Sequence, residues 1–200
     1  MTGGPLLPGA AMDQHRPLNP DAITLEDEFF LKEDARLLEK LRQQARQMER
    51  RAALRQVAPH ADDALLDHFI SLDIKPETVL AIVLVPLAAV AWADGQMDEK
   101  EKQAVLRAAS ERGITPGTPA HDMLMSWMNQ PVSARLMETW KKYVAAMWAK
   151  FEPAERKAMH DKLTGMAREV AKAAGGFLGI GPKISAAEQR VLDELDKALS

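Results

Sequence analysis

The chain has 200 residues, 46% of them hydrophobic and 28% charged, with a net charge of −3 and no cysteine. These values fit a globular protein of one ordinary domain plus a tail, or of two small domains. They exclude disulfides, thiolate metal sites and a cysteine nucleophile, and they leave no basic excess for binding nucleic acid.

Residues 1–21 are rich in Pro and Gly and lack a basic segment followed by a continuous apolar core. They are expected to be a disordered tail rather than a signal peptide. Residues 22–58 contain no Gly or Pro and are dense in Glu, Lys, Arg, Leu and Gln, which predicts one long helix. Acids gather at its start (Glu26, Asp27, Glu28) and bases at its end (Arg46, Arg50, Arg51, Arg55), as the helix dipole favours. Phe30, Leu37, Leu41 and Met48 recur near a heptad rhythm, interrupted by Asp34 and Gln44. Two readings stand: a helix docked along the domain, or an arm whose Phe30, Leu37 and Leu41 bind a protein partner or a second copy.

Residues 61–200 read as a series of closely spaced helices. Residues 61–72 set Leu65, Leu66, Phe69 and Ile70 on one face. The next helix is expected from Pro76 to Ala93, kinked at Pro86 and apolar nearly all round, as a central buried element is. Its fifteen-residue apolar stretch, Val79 to Ala93, is short of a membrane span. Further helices are expected from Asp98 to Arg112, from Thr118 to Asn129, from Ser133 to Phe151, from Pro153 to Gly175, and from Ser185 to Leu199. Sustained two-residue alternation is absent, so the fold class is all-α. The four tryptophans and most of the methionines fall at core-like spacing, although a methionine stripe also suits an adaptable binding groove.

The stretch Val90-Ala-Trp-Ala-Asp94-Gly95-Gln-Met-Asp98-Glu99-Lys-Glu101 has a degenerate second copy. Val170 to Gly175 takes the place of its first half and Lys183 to Glu188 that of its second, with Gly176 to Pro182 inserted between. The repetition suggests two related helix-loop-helix units. Asp98 with Glu101, and Ser185 with Glu188, have the spacing of a capping box. Asp94 is harder to explain, because a carboxylate at a helix end opposes the dipole. Either these groups only cap helices, or Asp94, Asp98 and Glu101 converge on a hard cation such as Ca²⁺ or Mg²⁺, with Ser185 and Glu188 as second-copy counterparts. The loop is not an EF-hand, since Glu99 stands at the sixth position and Val105 at the twelfth.

The Gly-rich Gly175 to Gly181 stretch has neither a preceding strand nor a Gly-Lys-Ser/Thr ending, so it reads as a helix connection rather than a phosphate loop. The five histidines are scattered without helical metal-site spacing, and there is no nucleophile-elbow sequence. An enzyme is not expected, nor a small-molecule substrate.

The turn Ala93-Asp94-Gly95 with the acidic helix start through Glu101 and Lys102 resembles the TerB-like family, over about residues 61–200. The resemblance implies a compact helical domain of duplicated helix-loop-helix units and an acidic, possible metal-binding site. It also implies a non-catalytic role in stress or tellurite response, in the cytoplasm or at the inner face of the membrane. The second copy departs from the pattern, with Ala174 in place of Asp94, and the helix over 22–58 lies outside the resemblance.

Overall fold

A computed structural model describes residues 25–174 and 184–200, with side chains for 27–173 and 184–200. Every regular element among the described residues is helical, so the class expected from the sequence holds. The tail over 1–21 and the insertion Gly176 to Pro182 lie outside the described residues. The chain divides into two compact units, 1–44 and 45–200.

Helix α1 is Leu25–Val57 and begins in the first unit. Within that unit it is supported along its own surface by Lys32 on Glu28 at 2.9 Å and by Gln43 on Glu39 at 3.3 Å. Such i,i+4 pairs add only about 0.2–0.5 kcal/mol each. Its large apolar side chains there are exposed.

The second unit takes in the last turns of α1, so the division falls inside the helix and not after it. Leu54 is 1% exposed and Ala58 2%. Arg51 donates to Asp67 through Nε at 2.6 Å, Arg50 donates to Asp73 at 2.7 Å, and Arg55 pairs with Asp63. Asp63 and Asp67 belong to α2 (Asp63–Ser71), capped by Asp62, whose carboxylate accepts from Leu65 N at 2.8 Å. As the arginine number rises the aspartate number falls, so the end of α1 and α2 form an antiparallel hairpin. Leu65, Leu66 and Phe69 of α2 are buried, as their spacing suggested.

The centre of this unit departs from the expected kinked helix. Val79–Leu84 is a 3-10 helix, and α3 (Val85–Ala91) follows with Pro86 in its first turn. Pro86 has no N–H to give to the Ile82 carbonyl, which accepts instead from the Val85 amide. That shorter bond winds the preceding turns tighter. The expectation of burial is met: Val85, Leu87, Ala88 and Val90 have no exposed surface. Helix α3 touches α4 (Glu99–Ser110), α5 (Pro119–Met128), α6 (Ala134–Trp148), α7 (Pro153–Ala174) and α8 (Ala186–Ala198). It is the hub of the body.

Four of the outer helices, α4, α5, α6 and α8, begin where small polar residues cap them: Asp98, Thr118, Ser133 and Ser185 each accept a backbone N–H with the side chain. Trp140 is fully buried in α6, and Trp148 donates its indole N–H to the Leu199 carbonyl at 3.1 Å, tying α6 to the end of α8. Met128 and Met147 are buried, and Met97, Met123, Met125, Met137, Met159 and Met166 pack against the core. Methionine in this unit is therefore mainly packing material. No helix of the described residues is long and apolar enough to cross a membrane.

Candidate functional site: the acidic turns and the exposed face of α1

The acidic turn begins where α3 runs out. Gly95 takes a φ of +91°, a left-handed conformation that side chains disfavour, and its N–H closes the turn onto the Trp92 carbonyl at 3.0 Å. Asp94 then bends over the reversal, and its Oδ1 accepts from the Gln96 amide at 3.0 Å. This local bond gives the Asp94 carboxylate a structural task that spacing alone did not reveal.

Asp98 and Glu101 complete a capping box. Asp98 Oδ1 accepts from Glu101 N at 2.8 Å and Glu101 Oε2 accepts from Asp98 N at 2.9 Å. Ser185 and Glu188 do the same at α8, where Ser185 Oγ accepts from Glu188 N at 3.1 Å and Glu188 Oε2 from Ser185 N at 2.5 Å. Both boxes are thus formed as their spacing predicts.

Burial separates the members of these turns. Asp94 and Asp98 are exposed, whereas Glu101 is 4% exposed and Glu188 5%. Burial pushes the Glu101 carboxyl up to about 7 from an ordinary 4.5; the Asp98 amide opposes the rise, and the charges of Asp98, Glu188 and Asp94 add to it. Glu188, eighty-seven residues further on, therefore lies within electrostatic reach of Glu101. The fold brings the third residues of two capped helices into one neighbourhood. Glu188 Oε1 is buried there without a hydrogen-bond partner. Sequence spacing assigned each glutamate to its own cap and carried no signal of their approach.

Among the described residues, no three His, Asp or Glu side chains are grouped so as to hold a metal ion. Asp94, Asp98 and Glu101 each have one oxygen committed to a backbone amide. Two surface hollows lie on α4. One, of about 420 Å³, is lined by Glu99, Lys100, Gln103, Arg107 and Ala173, and the other by Ala104, Arg107, Ala108, Glu111, Met166 and Glu169. Neither draws on Asp94, Asp98 or Glu101.

The residues expected to bind a partner are on the surface of α1: Phe30 is 57% exposed, Leu37 55% and Leu41 58%. Phe29, Leu31 and Leu38 join them at 60%, 62% and 52%. The apolar surface is therefore broader than the heptad rhythm alone indicates. Two of the histidines link elements of the body: His68 meets Lys142 at 2.8 Å, and His160 bridges α7 to α8 through Asp196 at 2.8 Å. Comparison of the chain with protein-family models, with curated proteins and with solved structures finds no match.

Proposed function

We propose that this protein is a non-catalytic adaptor that binds protein through the apolar face of α1, its helical body serving as the folded platform. The observation that carries this reading is the set of five large apolar side chains, Phe30, Leu31, Leu37, Leu38 and Leu41, which share one side of the helix and are each 52–62% exposed. A contiguous apolar surface of that kind marks an interaction site more often than scattered exposed leucines do. An amphipathic helix is also a recurrent recognition element. On this reading the acidic turns are caps, each worth about 1 kcal/mol.

A photo-cross-linking residue at Leu37 or Leu41, introduced in cells, tests the proposal. A protein adduct, with another protein or with the same chain, is expected from these positions and not from Arg36 on another face. No adduct from either position would refute it.

The TerB-like assignment, with its duplicated units, stress or tellurite role and cytoplasmic or membrane-face location, belongs to the proposal as well. Its support is the matched pair of capping boxes and the nearness of Glu101 to Glu188. One observation favours a second reading, in which a divalent cation such as Ca²⁺ or Mg²⁺ binds at the acidic turns. The Glu188 Oε1 atom is buried with no donor, and burial and the charges of Asp98, Glu188 and Asp94 together raise the Glu101 carboxyl. A cation there would supply the missing positive charge. Calorimetric titration of chelator-stripped protein should then show binding that Asp94→Ala and Glu188→Gln both weaken; absence of heat with either ion rejects this reading.

A further inference from the structure

The apolar face of α1 has an internal symmetry that names its occupant. Phe30, Leu37, Leu41 and Met48 are spaced by seven, four and seven residues, so the row reads the same from either end. The interrupting residues obey the same rule: Asp34 and Gln44 stand equally far from the midpoint at residue 39. The four apolar residues are 55–69% exposed.

We infer that α1 pairs with α1 of a second copy of this chain, antiparallel, about a two-fold axis near residue 39. This rests on the reading of α1 as a protein-binding face and names the partner. In a two-fold interface each contact of residue i with j is repeated as j with i. Here that places Phe30 against Met48, Leu37 against Leu41, and Asp34 against Gln44, each twice. The Asp34 carboxylate accepts and the Gln44 amide donates, so the two polar positions satisfy one another across the seam. Leu31 then flanks Ala45, and Leu38 lies beside its own copy, which widens the apolar contact on one side.

Two observations select the antiparallel sense. In a parallel pair in register, Asp34 would oppose Asp34 inside the seam, two like charges with no donor between them. The charge along α1 is also polar: Glu26, Asp27, Glu28, Glu33 and Asp34 outnumber Lys32 and Arg36 before residue 39, and Lys40, Arg42 and Arg46 follow it, with only Glu49 against them and with Arg50, Arg51 and Arg55 already paired to Asp73, Asp67 and Asp63. Parallel pairing sets acid on acid and base on base, whereas antiparallel pairing sets each acidic half along a basic one. Among the charged residues that flank the seam, Lys40 meets its own copy near the axis, and its long side chain can turn the ammonium to solvent. From Phe30 to Met48 the seam spans about 28 Å, roughly three heptads.

The test uses the full chain. Sedimentation velocity should show a dimer that dissociates on dilution, and Leu37→Glu with Leu41→Glu should abolish it while the tryptophan emission of the folded body is unchanged. The orientation is read by cysteine pairing, which the cysteine-free chain makes unambiguous. Phe30→Cys chains mixed with Met48→Cys chains should form the mixed disulfide in preference to either homodimer. A Phe30–Phe30 position cross-link in preference would overturn the antiparallel arrangement. A monomer at all concentrations up to about 100 μM would overturn self-pairing. If in that case Leu37 still cross-links to a different protein, the protein-binding reading stands and only its partner is wrong. If it cross-links to nothing, both fall.

Discussion

Glu101 keeps its proton in the folded chain over a pH range in which an unfolded glutamate has lost it. Burial, reinforced by Asp98, Glu188 and Asp94, raises its carboxyl to about 7 from 4.5. Between those values the folded state holds more protons than the unfolded one, so stability falls as pH rises through the window and levels off above it. Below the window both states are protonated and the contribution is complete. Glu101→Gln removes the titration but keeps an oxygen to accept from the Asp98 amide. Denaturant unfolding at about pH 4 and about pH 8 should therefore show a smaller loss of stability in the variant, by on the order of 1–3 kcal/mol. Equal losses in the two proteins would mean that Glu101 does not titrate in this window. At this scale the caps were legible in the sequence because a capping box is local, four residues with fixed roles. The electrostatic reach of Glu188 to Glu101 was not legible, since it depends on how α4 and α8 each pack on α3 and α7 in the finished body.

At the scale of elements, the question is what holds the end of α1 to α2. The arginine ladder is conspicuous, but the side chains of Arg51 and Asp67 remain 33% and 45% exposed. The pairing with Arg51 lowers the Asp67 carboxyl from its ordinary value, yet half-exposed pairs of this kind are worth about 0–1 kcal/mol. Leu54, on the inner face, is 1% exposed, and truncating a buried leucine costs about 2–5 kcal/mol. Leu54→Ala is thus expected to lower the urea midpoint severalfold more than Arg51→Ala, and a larger loss for Arg51→Ala would reverse the ranking. The sequence foretold both helices and their breaks, because Pro, Gly and cap residues are local signals. It did not foretell the 3-10 winding before Pro86, where the freed Ile82 carbonyl accepts from Val85. Nor did charge and composition place the boundary between units inside α1, because Leu54 looks like any other leucine of that helix until its neighbours are known.

For the whole molecule, the two units differ in what makes them stable. The body buries a continuous set of side chains from Leu54 to Leu199 around α3. Among the described residues of the first unit none is buried, and a lone helix without a packed face is marginal in water. Composition announced an all-α chain and the central helix announced a core, but the apolar side chains of α1 gave no sign of whether they were to be buried in the chain itself. The tryptophans mark the same division optically. Trp92, Trp127, Trp140 and Trp148 all lie in the second unit, as does the single tyrosine, Tyr143. Intrinsic tryptophan emission therefore reports on the body alone and is silent about residues 1–44, whereas far-ultraviolet ellipticity records the helix of both. The difference between the two signals on heating is a direct measure of how far α1 depends on a partner for its shape.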